Sequence, residues 1–145
     1  MQVLSVNQYA SGLSRLIAYL IDHILVSAIF SMLFWHWWQP LIWSDYDFTF
    51  SFHVWGHRIL YGFVLLVYYA FMESSQYQAT LGKMALGIKV VDQNNERISL
   101  GRAVLRNLSK YLSYLILCIG YIMIIFDERK QGLHDKIADT FIVKV

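Results

Sequence analysis

Two long apolar runs and a third, mixed one set the pattern of this chain. The first, residues 16–38 (LIAYLIDHILVSAIFSMLFWHWW), carries one acid, Asp22. As a helix it measures roughly 34 Å, enough to cross a hydrocarbon core of about 30 Å. It ends in an aromatic cluster and Pro40, an interfacial anchor followed by a helix stop. Residues 41–58 read as an aromatic-rich loop with Asp45 and Asp47. The second run, residues 59–77, is apolar until Glu73 near its far end. Residues 80–100 change period: GIKVVDQNNERISL reads as strand, turn, strand. Residues 101–126 predict a helix in two parts. The first is amphipathic, with Arg102, Arg106 and Lys110 on one face and leucines on the other, and the second, CIGYIMIIF, is uniformly apolar. Residues 127–145 give a polar turn, a short helical piece and a strand-like tail.

The pattern predicts an α-helical integral membrane protein forming one domain. It has two full transmembrane helices, a third re-entrant or amphipathic-then-apolar segment, a small β-hairpin and a C-terminal strand. Lys83, Lys89, Arg97, Arg102 and Arg106 fall between the second and third runs, whereas only Arg58 lies between the first two. That bias puts the N-terminus and hairpin in the cytoplasm. The tail, with Arg129, Lys130, Lys136 and Lys144, asks for the same side. Residues 101–126 are too few for two crossings of about 20 residues each. A re-entrant break near Gly120 resolves the conflict, and lets TFIVKV pair with GIKVV on the cytoplasmic face. The expected location is a bacterial inner membrane.

Composition agrees. Hydrophobic residues make up 57% and charged residues 15%, against about 25% charged in soluble domains. The net charge of +2 says little by itself. A single cysteine, Cys118, excludes an intrachain disulfide. His53 and His57 are four apart, but HVWGH has a glycine and no glutamate, so they read as interfacial residues; no metal or cofactor is expected. The N-terminal run is too long and too acidic for a signal-peptide core and reads as retained. TLGKMALG fails as a phosphate loop because Met84 follows Lys83. No motif places a nucleophile beside Ser99 or His134, so an enzyme is not expected. Nor does the chain leave room for a nucleic-acid module.

Asp22 is the focus of the candidate chemistry. An acid at the centre of a transmembrane helix costs roughly 2.5–3.5 kcal/mol on insertion scales. It needs a partner, a wet crevice or a proton. Helical spacing puts Arg15, Tyr19 and Asp22 on one face. Such a carboxyl could carry protons or coordinate Na⁺; it could equally belong to a buried network that fixes packing. Glu73, one turn from the end of its run, reads as reaching cytoplasmic water. Arg102, Arg106 and Lys110 read as ligands of lipid head groups, with one of them a possible counter-ion for Asp22.

Together, LSRLIAYLIDHILV, QATLGKMALGIKVVD, SLGRAVLRNL and FDERKQGLHDKIADTFIV resemble the RDD family of small prokaryotic membrane proteins, over nearly the whole chain. By that resemblance Arg15 and Asp22 match the first arginine and aspartate, and Asp135 matches the second aspartate, with Asp127 an alternative. Asp139 stands where the family pattern has a small residue. The resemblance implies transport, with Na⁺(K⁺)/H⁺ antiport as the suggested activity. On that view Asp22 would bind Na⁺, K⁺ or H⁺, Arg15 would tune it, and His134 with Asp135 would line the cytoplasmic mouth. So few spans call for a homo-oligomer in the lipid bilayer. The alternative is a non-transporting membrane adaptor whose cytoplasmic lid binds a partner.

Overall fold

The computed structural model describes the backbone of residues 8–36, 48–115 and 119–145, and their side chains except at 48–53, 114–115 and 119–122. The element order is α1 (Gly12–Leu33), α2 (Phe48–Glu73), α3 (Leu81–Ala85), β1 (Ile88–Asp92), α4 (Leu100–Leu115), α5 (Ile119–Phe126), α6 (Leu133–Ala138) and β2 (Thr140–Lys144). Two stretches, Gly12–Leu33 and Val54–Glu73, are long and apolar enough to cross a membrane.

α1 starts earlier than the apolar run because Ser11 caps it, its hydroxyl accepting the Ser14 N–H at 3.2 Å. The buried residues of α1 are Arg15, Ala18, Asp22 and Phe30. Their spacing of three, four and eight defines one stripe, and Leu16, Leu20, Ile24 and Ile29 point away from the protein. This is the reverse of a soluble amphipathic helix, as expected where the surroundings are apolar.

α2 takes in residues 48–58, which the sequence pattern assigned to a loop. Aromatic and β-branched residues there carry no strong helical period; within the helix the Phe30 ring of α1 meets His57 and Tyr61 edge-on at 4.9 and 5.1 Å. The aromatic anchor at Trp37, Trp38 and Pro40 lies outside the described residues.

The predicted hairpin over 80–100 is corrected in its second half. β1 does not pair with the following residues but with β2, antiparallel, with Ile88 opposite Lys144 and Asp92 opposite Thr140. The expected TFIVKV–GIKVV pairing is therefore present. Asp92 folds the tip by accepting the N–H groups of Asn94 and Glu96 at 2.8 and 2.9 Å. Ile98 then drops into the core instead of extending a strand. The N-terminal segment covers the other edge of β2, with Ala10 donating to the Ile142 carbonyl at 2.8 Å.

The main core contains Ala10, Ala18, Ala70, Ile88, Val90, Ile98, Ala103 and Ile142. α1, α2 and α4 each contribute an alanine, which lets their backbones approach the lid formed by the sheet and the short helices. Gly82 marks the closest approach: a Cβ there would sit 2.2 Å from the Ala18 carbonyl oxygen. Asp139 ends α6 in the left-handed region (φ 57°, ψ 49°), which aspartate tolerates. Within the stretch 101–126, residues 101–115 and 119–126 are helical; residues 116–118, where the expected break near Gly120 and Cys118 would fall, lie outside the described residues.

Gly82→Ala should destabilise the detergent-solubilised protein by about 1–3 kcal/mol, since backbone meets the new methyl. Gly101→Ala, where a Cβ meets nothing within 4 Å, should be neutral or stabilising by up to about 1 kcal/mol. Thermal unfolding of the two variants in the same micelle checks both.

Candidate site: two buried carboxylate clusters

Asp22 has company, but among the described residues none of it is a cation. Its side chain is 0% exposed and accepts three hydrogen bonds, from the Tyr68 hydroxyl at 2.8 Å, the Thr80 hydroxyl at 2.5 Å and the Gly82 N–H at 2.7 Å. Tyr68 also accepts the Leu81 N–H at 3.1 Å. A carboxylate on α1 thus binds the opening turn of α3, where free N–H groups favour negative charge. Gly82 has to be glycine for the turn to come this close.

Arg15, expected to tune Asp22, instead reaches the other end of the chain. Its Nη1 donates to Asp135 Oδ2 at 2.7 Å, and its Nε donates to the Ala10 carbonyl at 3.3 Å. Asp135 also accepts Arg106 Nε at 2.9 Å and the Gly132 N–H at 3.2 Å. Arg106 Nη1 lies 2.9 Å from Glu73 Oε2, close enough to attract although its N–H is misaligned for a hydrogen bond. Glu73 accepts from Lys83 at Oε1 and from Asn107 Nδ2 at Oε2, the latter at 2.9 Å. Lys110 Nζ is 3.8 Å from Glu73, donates to Asn107 Oδ1 at 2.6 Å and sits 4.5 Å above the Tyr69 ring.

The result is one ionic network joining α1, α2, α3, α4 and α6. Several expectations change with it. Glu73 does not reach water: it is 0% exposed. Arg106 is 1% exposed, so it is a partner of two carboxylates and not a lipid ligand. Neither it nor Lys110 pairs with Asp22. Arg102 is exposed and faces Asp92 at 3.8 Å. Of the two C-terminal aspartates, Asp135 meets Arg15, while Asp127 pairs with Lys136 at 2.6 Å and turns the chain at Arg129 and Gln131. Tyr19 lies beside the site, stacked on His23 at 5.5 Å and on Tyr69 at 6.4 Å. Among the described residues no three His, Cys, Asp or Glu side chains form a group that could hold a metal; the His53 side chain is outside them.

Thr80, Lys83, Asn107, and Arg106 as the partner of Glu73 and Asp135 and not of Asp22, were missed by sequence reasoning. TLGK carried the signal: a hydroxyl, a glycine and a lysine together at a helix start, dismissed only as a failed phosphate loop.

Burial alone would raise the Asp135 carboxyl, but Arg106 and Arg15 outweigh it and hold it far below the usual carboxylate range. Burial pushes the His134 imidazole down to about 4, against the pull of Asp135. His134 is therefore neutral at pH 7, with Ser113 Oγ 3.5 Å from its Nδ1.

Asp135→Asn should cost about 3–5 kcal/mol, because it leaves two buried guanidinium groups short of a charge. Adding Arg15→Gln should cost less than the two single changes summed. Unfolding midpoints in one detergent measure this cycle. A second expectation concerns pH. The unfolded chain protonates His134 near 6.5 and the folded chain only near 4, so the stability is whole above 6.5 and falls between 6.5 and 4. The loss reaches on the order of 3 kcal/mol at the foot of that window. His134→Gln should flatten that part of the curve. Asp135 adds its own loss below about 3.8, as acid protonates a group that is depressed when folded.

Comparison with known proteins fits this arrangement. The profile of the RDD family matches residues 9–139. The "Uncharacterized membrane protein YteJ" of Bacillus subtilis is 32% identical over 95% of this chain and 77% of its own length. The "Uncharacterized protein YxaI" of the same organism is 45% identical over 55% of this chain, which spans about half (52%) of that relative. The "Proline-rich antigen" of Mycobacterium leprae is 32% identical over 43% of this chain and 25% of its own length. No solved structure matches. Arg15, Asp22 and Asp135 stand inside the matched span and at the centres of the two clusters. The chain is a membrane protein of the RDD family.

Proposed function

We propose that the protein is a membrane-anchored platform: two spans carry a folded polar lid, and the lid binds a partner. One observation carries this reading. Asp22, Glu73 and Asp135 are each engaged by donors from other elements, so the set acts as a clamp between lid and spans. An ion port would leave at least one carboxylate with oxygens free to exchange a proton or a cation.

The pairing of residues 9–10 with β2 supports a C-terminal strand on the same side as the start of α1. The basic residues of the lid favour the cytoplasmic side of a bacterial inner membrane. α4 turns Leu105, Leu108 and Leu112 outward and Arg106, Asn107 and Ser113 inward, which suits a helix embedded against lipid with its polar face to the protein. This supports two full spans and a third, partly embedded segment.

The second reading is proton-coupled transport of Na⁺ or K⁺, by a homo-oligomer. It is favoured by three carboxylates fully buried against two spans.

Vesicles reconstituted with the purified protein and an internal pH dye separate the two. The platform reading expects no Na⁺- or K⁺-dependent proton flux above empty vesicles. It also expects Asp22→Asn to cost about 1–3 kcal/mol of stability, by setting an amide N–H against the donors of α3. A cation-dependent flux that Asp22→Asn abolishes would establish transport instead. A reporter fused at Val145 that reads as external would overturn the shared side of lid and N-terminus.

A further inference from the structure

The buried network does not balance its charges. Four cations, Arg15, Lys83, Arg106 and Lys110, surround two carboxylates, Glu73 and Asp135. Asp22 makes a third carboxylate, but its described hydrogen bonds come from two hydroxyls and a backbone amide. Counting it still leaves the described network one positive charge in excess, with two carboxylates shared among four cations. Isolated charge in such surroundings is costly, and is usually compensated by a partner or by losing a proton.

Two further observations locate the deficit. Arg15 Nη2 is buried and meets no acceptor among the described residues, on a side chain 8% exposed. Lys110, at the outer edge of the network, is its most accessible cation, with its side chain 22% exposed. It stands 3.8 Å from Glu73, a looser approach than that of Lys83 or Arg106 to the same acid. Its firm contacts are the neutral Asn107 and the Tyr69 ring. A third carboxylate inside the clamp would be the simplest remedy, and none is present among the described side chains of α4 or α6 beyond Asp135.

We infer that the network is an anion site, taking a tetrahedral oxyanion of the phosphate class at Lys110, with the excess positive charge of the network behind it. A guanidinium and an ammonium are the two side chains best suited to that chemistry, the first by its fork of N–H groups, the second as a compact point charge. The oxyanion comes either from a phospholipid head group or from phosphate in solution. The site is separate from any partner surface on the lid and stands whether or not the protein transports ions.

The test uses the full chain in nanodiscs of phosphatidylcholine, read by thermal unfolding. One arm adds inorganic phosphate against chloride at equal ionic strength; the other replaces a third of the lipid with phosphatidic acid. In one arm or the other the midpoint rises by about 5 °C, the shift that saturating ligand gives a domain of this size. A rise with phosphate assigns the soluble anion, and a rise with phosphatidic acid alone assigns the head group. Lys110→Gln abolishes the rise and Lys110→Arg keeps it, whereas Lys144→Gln, at an exposed position, leaves it unchanged. Lipid retained by each variant, counted by native mass spectrometry, gives a readout that does not depend on the variant's own stability. No rise in either arm, or an equal rise in Lys110→Gln, overturns the inference.

Discussion

The fold depends on removing ionised side chains from water and meeting them with opposite charge. Glu73 ends the second span, Arg15 opens the first, and neither has a partner on its own helix. Their partners arrive from Lys83, Arg106 and Asp135, on α4 and on two short helices, α3 and α6, that could not hold position alone. Breaking one such pair leaves its mate charged in an apolar setting, a loss larger than the pair's own attraction. The lid is therefore held to the spans chiefly by the penalty for letting go, and the small alanine core adds close packing where α1, α2 and α4 approach.

The two clusters divide the work. Asp22 organises backbone: its oxygens take up the Gly82 N–H and two hydroxyls and so fix where α3 begins. Asp135 organises charge: two guanidinium groups from opposite ends of the chain converge on it. Arg15, Asp22 and Asp135 are thus not one triad. Arg15 belongs with Asp135, and Asp22 stands apart with neutral donors among the described residues.

Much of this was legible in the sequence. Apolar length found the two helices long and apolar enough to cross a membrane, and β-branched residues found β1 and β2. A buried Asp22 in need of partners followed from its cost in lipid. What the sequence did not show was which donors would come. Periodicity places residues on the face of one helix, so it put Arg15 beside Asp22; it is blind to Asp135, which lies 120 positions away. The same blindness sent Arg106 to the lipid surface, because a basic stripe on an amphipathic helix is normally the outward one. Here the surroundings are apolar, and the leucine face turns out instead. Residues 48–58 were misread as a loop because their aromatic and β-branched residues carry no strong helical period. The strand expected after the Gln-Asn-Asn tip was lost to competition, since β2 offers β1 a better-buried partner than residues 97–99 do.

The order of synthesis gives the Asp135 junction a further consequence. Ribosomes deliver Arg15 and Glu73 to the bilayer well before Asp135 exists. During that interval both spans carry charges whose eventual mates are still untranslated. Glu73 gains Lys83 and Arg106 first, while Arg15 has its carboxylate only when residue 135 emerges, so the late-made segment completes the charge balance of α1.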